Sequence, residues 1–305
     1  MNTQAINKKS SKIKAGKGDK LYYVINFIIL AILTLIIVYP LYFLVIASFS
    51  DSNLVTQGEV LLLPKGITFE GYKRLLEDDS IWVGYANTIF YTITGTLVSL
   101  LFTIPSGWGL SRVNLPARKW FMWLFIVPMF FGGGLIPFYI IVSKLHMVNT
   151  RWSLIIPSAL SVWNVFMCKA YFEGNIPNEI LEAGRIDGAG EILLFFKFVI
   201  PLSKPIIAVI ALYCAVGQWN NYFGALVFIT KEELYPLQLI LRDILIMEDT
   251  SAIIGGGGPT FSEQVKLANQ IKYTSIIVSS LPIILVYPFF QKYFKQGVLV
   301  GSLKS

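Results

Sequence analysis

The sequence predicts an all-α polytopic membrane protein with six membrane-crossing helices. Three observations carry that expectation. Of its 305 residues 55% are hydrophobic. Only 14% are charged, against about 25% in a soluble globular domain. Mean hydropathy is +0.64. A soluble fold of this length needs far more charge to cover its surface, so the apolar excess must face something other than water. The same composition excludes intrinsic disorder. Two cysteines exclude a disulfide scaffold, and the single histidine, His146, excludes a His-rich metal site.

A bilayer-crossing helix needs about 20 mostly apolar residues. Residues 21–47 are uncharged and form the clearest span. They are too long for the apolar region of a signal peptide, and no A-x-A pattern follows at Ser48–Asp51, so this run reads as an uncleaved first span. The second span is 81–104. The third, 120–142, contains Gly132–Gly134 and Pro137, which allow a bend. The fourth is the shorter run 152–168, the fifth 206–229 and the sixth 273–290. Uncharged runs of this length argue for helices. Barrel strands would be about ten residues of alternating polarity, and none is visible.

Six spans put both termini on one side. That side, 1–20 with 105–119, 169–205 and 291–305, holds 16 of the 25 basic residues. By the positive-inside rule both termini are cytoplasmic. The basic tail 1–20 (Lys8, Lys9, Lys12, Lys14, Lys17 and Lys20) then meets the anionic lipid leaflet. No aromatic residues interleave with these lysines and a span follows at once, so nucleic acid is not an expected partner. Outside, residues 48–80 and 230–272 read as loops with no folded domain. The run Gly255–Gly258 is not a phosphate loop, because no Lys-Ser/Thr follows it.

The loop at 175–205, between spans four and five, has internal design. Pro177 suits a first helical turn, with Asn175 or Ile176 as cap. Ile180, Leu181 and Ala183 to Ile186 make a short amphipathic helix. Gly188 and Gly190 break it. Asp187 is placed to cap a second, apolar helix from Ile192 to Val199, which ends at Pro201. Two short helices joined by a glycine turn at the membrane face suit docking into another protein's groove. An interfacial hairpin that only caps the bundle is the plainer reading of the same residues.

The stretch Glu182-Ala183-Gly184-Arg185-Ile186-Asp187-Gly188-Ala189, followed by Ile200-Pro201-Leu202 and Pro205, closely resembles the EAA loop of bacterial ABC importer permeases of the carbohydrate type. The segment GGGLIPFYIIVSKLHMVNT and the ending YPFFQKYFKQGVLVGSLK resemble the smaller permease subunit of oligosaccharide and polysaccharide importers, the partner-type subunit of the maltose importer family. Two departures stand out. Gly184 replaces the usual alanine, which loosens a helix by about 1 kcal/mol. The I-x-L-P portion reads Phe198-Val199-Ile200-Pro201.

The resemblance implies a type I ABC importer transmembrane domain in a bacterial cytoplasmic membrane. In that family the EAA loop is the coupling helix, seated in a cleft of the ATPase subunit. That role falls here on Glu182, Ala183, Gly184, Asp187, Gly188, Ala189 and Pro201. The implied partners are a second permease, an ATPase dimer, an extracytoplasmic solute-binding protein and a carbohydrate, in keeping with an oligosaccharide. The chain has no G-x-x-x-x-G-K-[ST], so the ATP site must lie on another chain. No cofactor, metal site or catalytic residue is expected.

Gln218, Trp219, Asn220, Asn221 and Tyr222 in span five are candidates for the substrate path. Sugars are bound by aromatic faces with amide and hydroxyl hydrogen bonds, and amides in a span are costly unless paired or lining a cavity. Helix–helix bonding is the plainer reading of the same residues. Tyr91, Thr94, Trp163 and Asn164 are weaker candidates. Cys168 and Cys214 read as packing residues. Two other classes fit the residues less well. An ion-gradient-driven secondary transporter shows ionisable groups inside spans or broken-helix repeats, and spans one, two, three and five carry no charge. A membrane-embedded enzyme needs a catalytic cluster, and none is present.

Overall fold

The computed structural model describes residues 16–254 and 259–302. Lys8, Lys9, Lys12 and Lys14 of the basic tail and the glycine run 255–258 lie outside them. Among the described residues the chain is helical, with no strand and no group of three metal-ligating side chains. The protein is an all-α polytopic membrane protein. It divides into two units, residues 1–68 and 69–305.

The first unit holds α1 (Lys17–Ser48) and α2 (Ser52–Thr56). Along most of α1 the apolar side chains are exposed, as a lipid-facing helix requires. The segment after α2 folds back on the end of α1. Tyr39 donates its hydroxyl to the Leu61 carbonyl at 3.2 Å, and Thr68 N–H bonds the Phe49 carbonyl at 2.9 Å.

The second unit begins with α3 (Glu70–Glu77) and the 33-residue α4 (Asp79–Ser111). Asp78 caps α4 by accepting from Ser80 N–H. Next come α5 (Arg118–Phe130) and α6 (Leu135–Lys144), bent by 119° at the glycine break. Then follow α7 (Trp152–Ile155), α8 (Val162–Asn175), α9 (Asn178–Ile186) and α10 (Glu191–Leu194). A π-helical turn (Phe195–Val199) and α11 (Ile200–Leu202) lead into α12 (Lys204–Trp219). The chain closes with α13 (Tyr222–Phe228), α14 (Leu237–Ile254) and α15 (Pro259–Ser302).

Gly18–Ser48, Asp79–Ser111 and Asn269–Phe289 are unbroken stretches long and apolar enough to cross a bilayer. The other expected spans are interrupted. The 120–142 run is the bent α5–α6 pair. The 152–168 run stops at Ile155, resumes at Val162 and continues to Asn175. The 206–229 run starts at Lys204 and breaks after Trp219. Periodicity does not reveal these breaks, because the runs stay uncharged across them; Gly132–Gly134, Pro157 and Asn220-Asn221 mark where they fall.

The expected outer loop at 230–272 is also largely helical, because α14 occupies its middle. Leu237, Ile240 and Leu241 of α14 join Leu75, Ile81, Trp219 and Val278 in one core cluster. Polar residues of α4 anchor its start: Asn87 donates to the Glu233 carbonyl at 2.8 Å, and Thr88 Oγ1 accepts from Leu237 N–H at 2.8 Å.

α4 is the central element and packs on α8, α12 and α14. Close approach requires small residues there. A Cβ on Gly107 would stand 2.5 Å from Cys168 Cβ, and one on Gly95 would stand 2.6 Å from Gln218 Nε2. A second cluster joins α4, α8, α9, the π turn and α12 through Trp108, Phe172, Leu181, Val199 and Ile206. Trp108 and Phe172 meet edge to face at 5.7 Å. The 175–205 segment is thereby built into the helical core.

Candidate functional site

The 175–205 segment is a helical hairpin whose turn is set by its own sequence. α9 ends in a Schellman cap. Gly188 sits at φ +83°, a left-handed conformation that glycine adopts without steric cost. Its N–H bonds the Arg185 carbonyl at 3.0 Å, and Ala189 N–H bonds the Gly184 carbonyl at 2.9 Å. Asp187-Gly188-Ala189 is therefore a helix stop. Asp187 closes α9 rather than capping the following helix, which has Gly190 at its N-cap with no side-chain bond. Pro177, not Asn175 or Ile176, is the N-cap of α9. The second arm runs nearly unbroken from Glu191 to Leu202 through the π turn, with Pro201 in its last turn.

The two arms pack face to face at Gly184. A Cβ there would lie 2.5 Å from Leu194 Cδ2, and Leu194 is wholly buried. Glycine in place of alanine does more than loosen the helix, because it admits Leu194. Across the turn Arg185 pairs with Glu191. Glu182, Ala183 and Asp187 remain exposed, and Glu182 makes no ion pair among the described residues.

Glu182 lines a cavity of about 410 Å³ with Arg112, Arg118, Glu173, Asn178 and Arg185. Arg118 donates to Glu173 at 2.6 Å, and Lys169 donates to the same carboxylate at 2.8 Å. The Arg112 guanidinium stacks 3.9 Å from the Trp108 ring. Burial lowers the Arg112 pKa from its usual value, partly opposed by Glu191.

Sequence reasoning missed the apolar tip. Ile186 is 86% exposed and Ile192 is 77% exposed, one on each side of the turn, with Leu193 and Phe196 exposed beside them. The signal was available: Ile186 falls on the outer face of α9, opposite Leu181 and Gly184.

The span-five candidates separate into distinct roles. Trp219 belongs to the core and donates Nε1–H to the Ser279 carbonyl at 3.0 Å. Asn220 is exposed and donates to the Val216 carbonyl one turn back. Gln218 is buried and donates to Ser158 Oγ at 2.6 Å. Asn221 caps α13 by accepting from Gly224 N–H at 3.1 Å. Gln218 and Asn221 share one cavity wall, and Tyr222 lines a different cavity with Gln238 and Arg242. Among the weaker candidates only Asn164 reaches the Gln218 cavity. Tyr91 donates to the Leu234 carbonyl, Thr94 to the Phe90 carbonyl, and Trp163 is exposed. Cys168 is buried in the core, and Cys214 accepts from Asn164 Nδ2 at 3.6 Å.

Comparison with known proteins gives a consistent result. Residues 80–300 match the family described as binding-protein-dependent transport system inner membrane component. The chain is similar to Protein LplC of Bacillus subtilis strain 168, 35% identical over 289 residues covering 95% of this chain and 97% of that protein. It is also similar to the polygalacturonan/rhamnogalacturonan transport system permease protein YtcP of the same organism, 34% identical with coverage of 94% and 99%. Among solved structures it is similar to a chain of a bacterial ABC transporter involved in the import of the acidic polysaccharide alginate. The TM-score there is 0.80 at 35% identity, covering 92% of this chain and 98% of that one.

Proposed function

The chain belongs to the family of binding-protein-dependent transport system inner membrane components, and from that premise we propose that its 175–205 hairpin couples ATP hydrolysis on a separate chain to carbohydrate movement through its spans. It is a permease subunit of a carbohydrate ABC importer. In our reading the functional assembly adds a second permease, an ATPase dimer and an extracytoplasmic binding protein. Both termini and the hairpin lie in the cytoplasm. The substrate is an oligosaccharide, in keeping with the polysaccharides named for YtcP and for the alginate importer.

One observation carries the coupling role. The hairpin is anchored in the core through Leu181 and Val199, yet it presents Ile186 and Ile192 to solvent at its tip. Exposed apolar residues on a rigid knob mark an interaction site. Force on such a knob passes to α8 and α12 without bending a flexible linker. Glu182, Asp187, Gly188 and Ala189 shape or flank the tip, and Gly184, Ala183 and Pro201 set its two arms.

The test is purification of the tagged chain from its native membrane in mild detergent, with mass spectrometry of what accompanies it. The importer reading expects an ABC-type ATPase and a second permease. Recovery of this chain alone, under conditions that keep another importer intact, contradicts it.

A further inference from the structure

The segment that follows α2 returns along the first helix instead of leaving it. Its base is pinned at the helix end: Lys65 N–H donates to Ser50 Oγ at 3.2 Å, and Asp51 N–H donates to the Lys65 carbonyl at 3.0 Å. Its tip is held by two tyrosines of α1. Tyr39 and Tyr42 donate their hydroxyls to the carbonyls of Leu61 and Leu62. This clasp leaves three consecutive leucines facing outward. Val60 is 1% exposed, whereas Leu61, Leu62 and Leu63 are 60%, 67% and 72% exposed. The charges that flank them, Glu59 and Lys65, pair with each other at 3.3 Å.

Depth along α1 decides what the leucines meet. The stretch of this helix fit to cross a bilayer is 31 residues long, Gly18–Ser48. A bilayer needs about 20. Lys20 is the last charged residue before the apolar run. Counting about 20 residues from Leu21 places the far hydrocarbon boundary near residue 40. Tyr39 and Tyr42 stand at that boundary, where tyrosine rings are enriched in membrane helices. They lie about 13 and about 9 Å short of Ser48, at the helical rise per residue. The leucines bonded to them are carried back to the same level, below the helix end. Leu35, Ile36 and Leu41 of α1 are exposed as well, so the tip extends an apolar surface that a lipid-facing helix already presents. In water, three adjacent exposed leucines would be an uncovered apolar patch.

We propose that residues 60–64 form an interfacial membrane anchor, with Leu61, Leu62 and Leu63 seated in the lipid leaflet at the far end of α1. In the topology proposed above this is the outer leaflet. Lipid is the occupant because the patch lies at the hydrocarbon boundary, is clasped by boundary tyrosines and is flanked by a charged pair suited to the headgroup layer. The anchor stands on the geometry of the first unit alone and adds a lipid contact to the permease reading.

The test uses the full chain, purified with the subunits that accompany it and returned to liposomes of phosphatidylethanolamine and phosphatidylglycerol. Nitroxide labels are placed singly at Leu62→Cys, Leu63→Cys and Asn53→Cys, with Cys168→Ala and Cys214→Ala removing the native thiols. Leu62 and Leu63 are exposed, so cysteine there removes no core contact. Asn53, exposed and two residues past Asp51 at the helix end, is the water reference. Collisions with oxygen, which enters lipid, and with a neutral nickel chelate, which stays in water, read the depth of each label. The expected result is more oxygen collision at 62 and 63 than at 53, and nickel collision about tenfold lower, because a polar chelate is excluded from hydrocarbon. Nickel collision at 62 and 63 equal to that at 53 overturns the anchor, because the tip then lies in water. Low collision with both probes also overturns it, because another subunit or a second copy then covers the leucines. The measurement needs no transported sugar, so failure of the anchor and failure of the importer reading are told apart.

Discussion

Arg185 and Glu191 tie the two arms of the hairpin together: Nε and Nη2 of the arginine both donate to Oε1 of the glutamate, at 2.9 and 2.7 Å. The pair spans the glycine turn, from the last turn of α9 to the first turn of α10. Both side chains are substantially exposed, 44% and 60%, so solvent screens the attraction. The pair fixes geometry more than it stabilises the fold.

Arg185→Gln is therefore expected to change the unfolding free energy by less than about 1 kcal/mol. Uptake should fall while basal ATP hydrolysis persists, because the arms splay under load. Thermal unfolding of the purified assembly, with transport and hydrolysis measured together, checks this.

Gly188→Ala places a Cβ in the left-handed region. The expected cost is roughly 1–2 kcal/mol at the turn. The Schellman cap should open and carbohydrate uptake should drop more than assembly does. Uptake per unit of assembled complex, against wild type, is the readout.

Gly184→Ala brings two effects into opposition. Alanine favours the helix by about 1 kcal/mol, while overpacking against Leu194 costs about 1–3 kcal/mol. With Leu194 wholly buried the clash should prevail, lowering both Tm and uptake. Adding Leu194→Val removes the offending methyl and should restore part of the loss.

Glu182→Lys should leave the chain inserted and folded, since Glu182 is exposed and makes no ion pair among the described residues. The reversed charge would face the ATPase and stand beside Arg112, Arg118 and Arg185. Uptake should be lost with membrane insertion unchanged. Normal uptake by this variant would remove Glu182 from the coupling assignment.

Trp219→Phe separates structure from substrate contact. Losing the Nε1–H bond to the Ser279 carbonyl should cost about 1 kcal/mol of stability. KM for the transported carbohydrate should not change, because Trp219 is packed against Leu237 and Val278. A shift in KM with Tm unchanged would return Trp219 to the substrate path.

The fold class was legible in composition and in the length of the uncharged runs, since a bilayer demands both. The breaks at 131–134, 156–161 and 220–221 were less so. Glycines mark the first and Pro157 stands in the second, while the restarts are fixed by the caps of Ser161 and Asn221. α14 was hidden because Arg242, Asp243, Glu248 and Asp249 make its sequence read as an outer loop, while its buried face is short. In the hairpin, the stop at Asp187-Gly188-Ala189 was visible as glycine, but the capping direction of Asp187 was misjudged. An aspartate before a glycine suits either helix, and the backbone bonds decide between them. The cavity around Gln218 was only partly legible: Gln218, Asn221 and Asn164 stood out in the sequence, while its serines did not. Its serines come from two separate segments, α4 and the 156–161 break, and are individually unremarkable small residues.

The central claim is that the 175–205 hairpin docks on an ATPase subunit. Replacing Ile186 by a photoreactive benzoylphenylalanine in the full chain, followed by irradiation of native membranes, tests it most directly, because Ile186 stands at the exposed tip. The account expects a covalent adduct with the ATPase subunit that diminishes when Gly188→Ala is added. An adduct with lipid alone, from membranes in which the ATPase still copurifies with this chain, would contradict it.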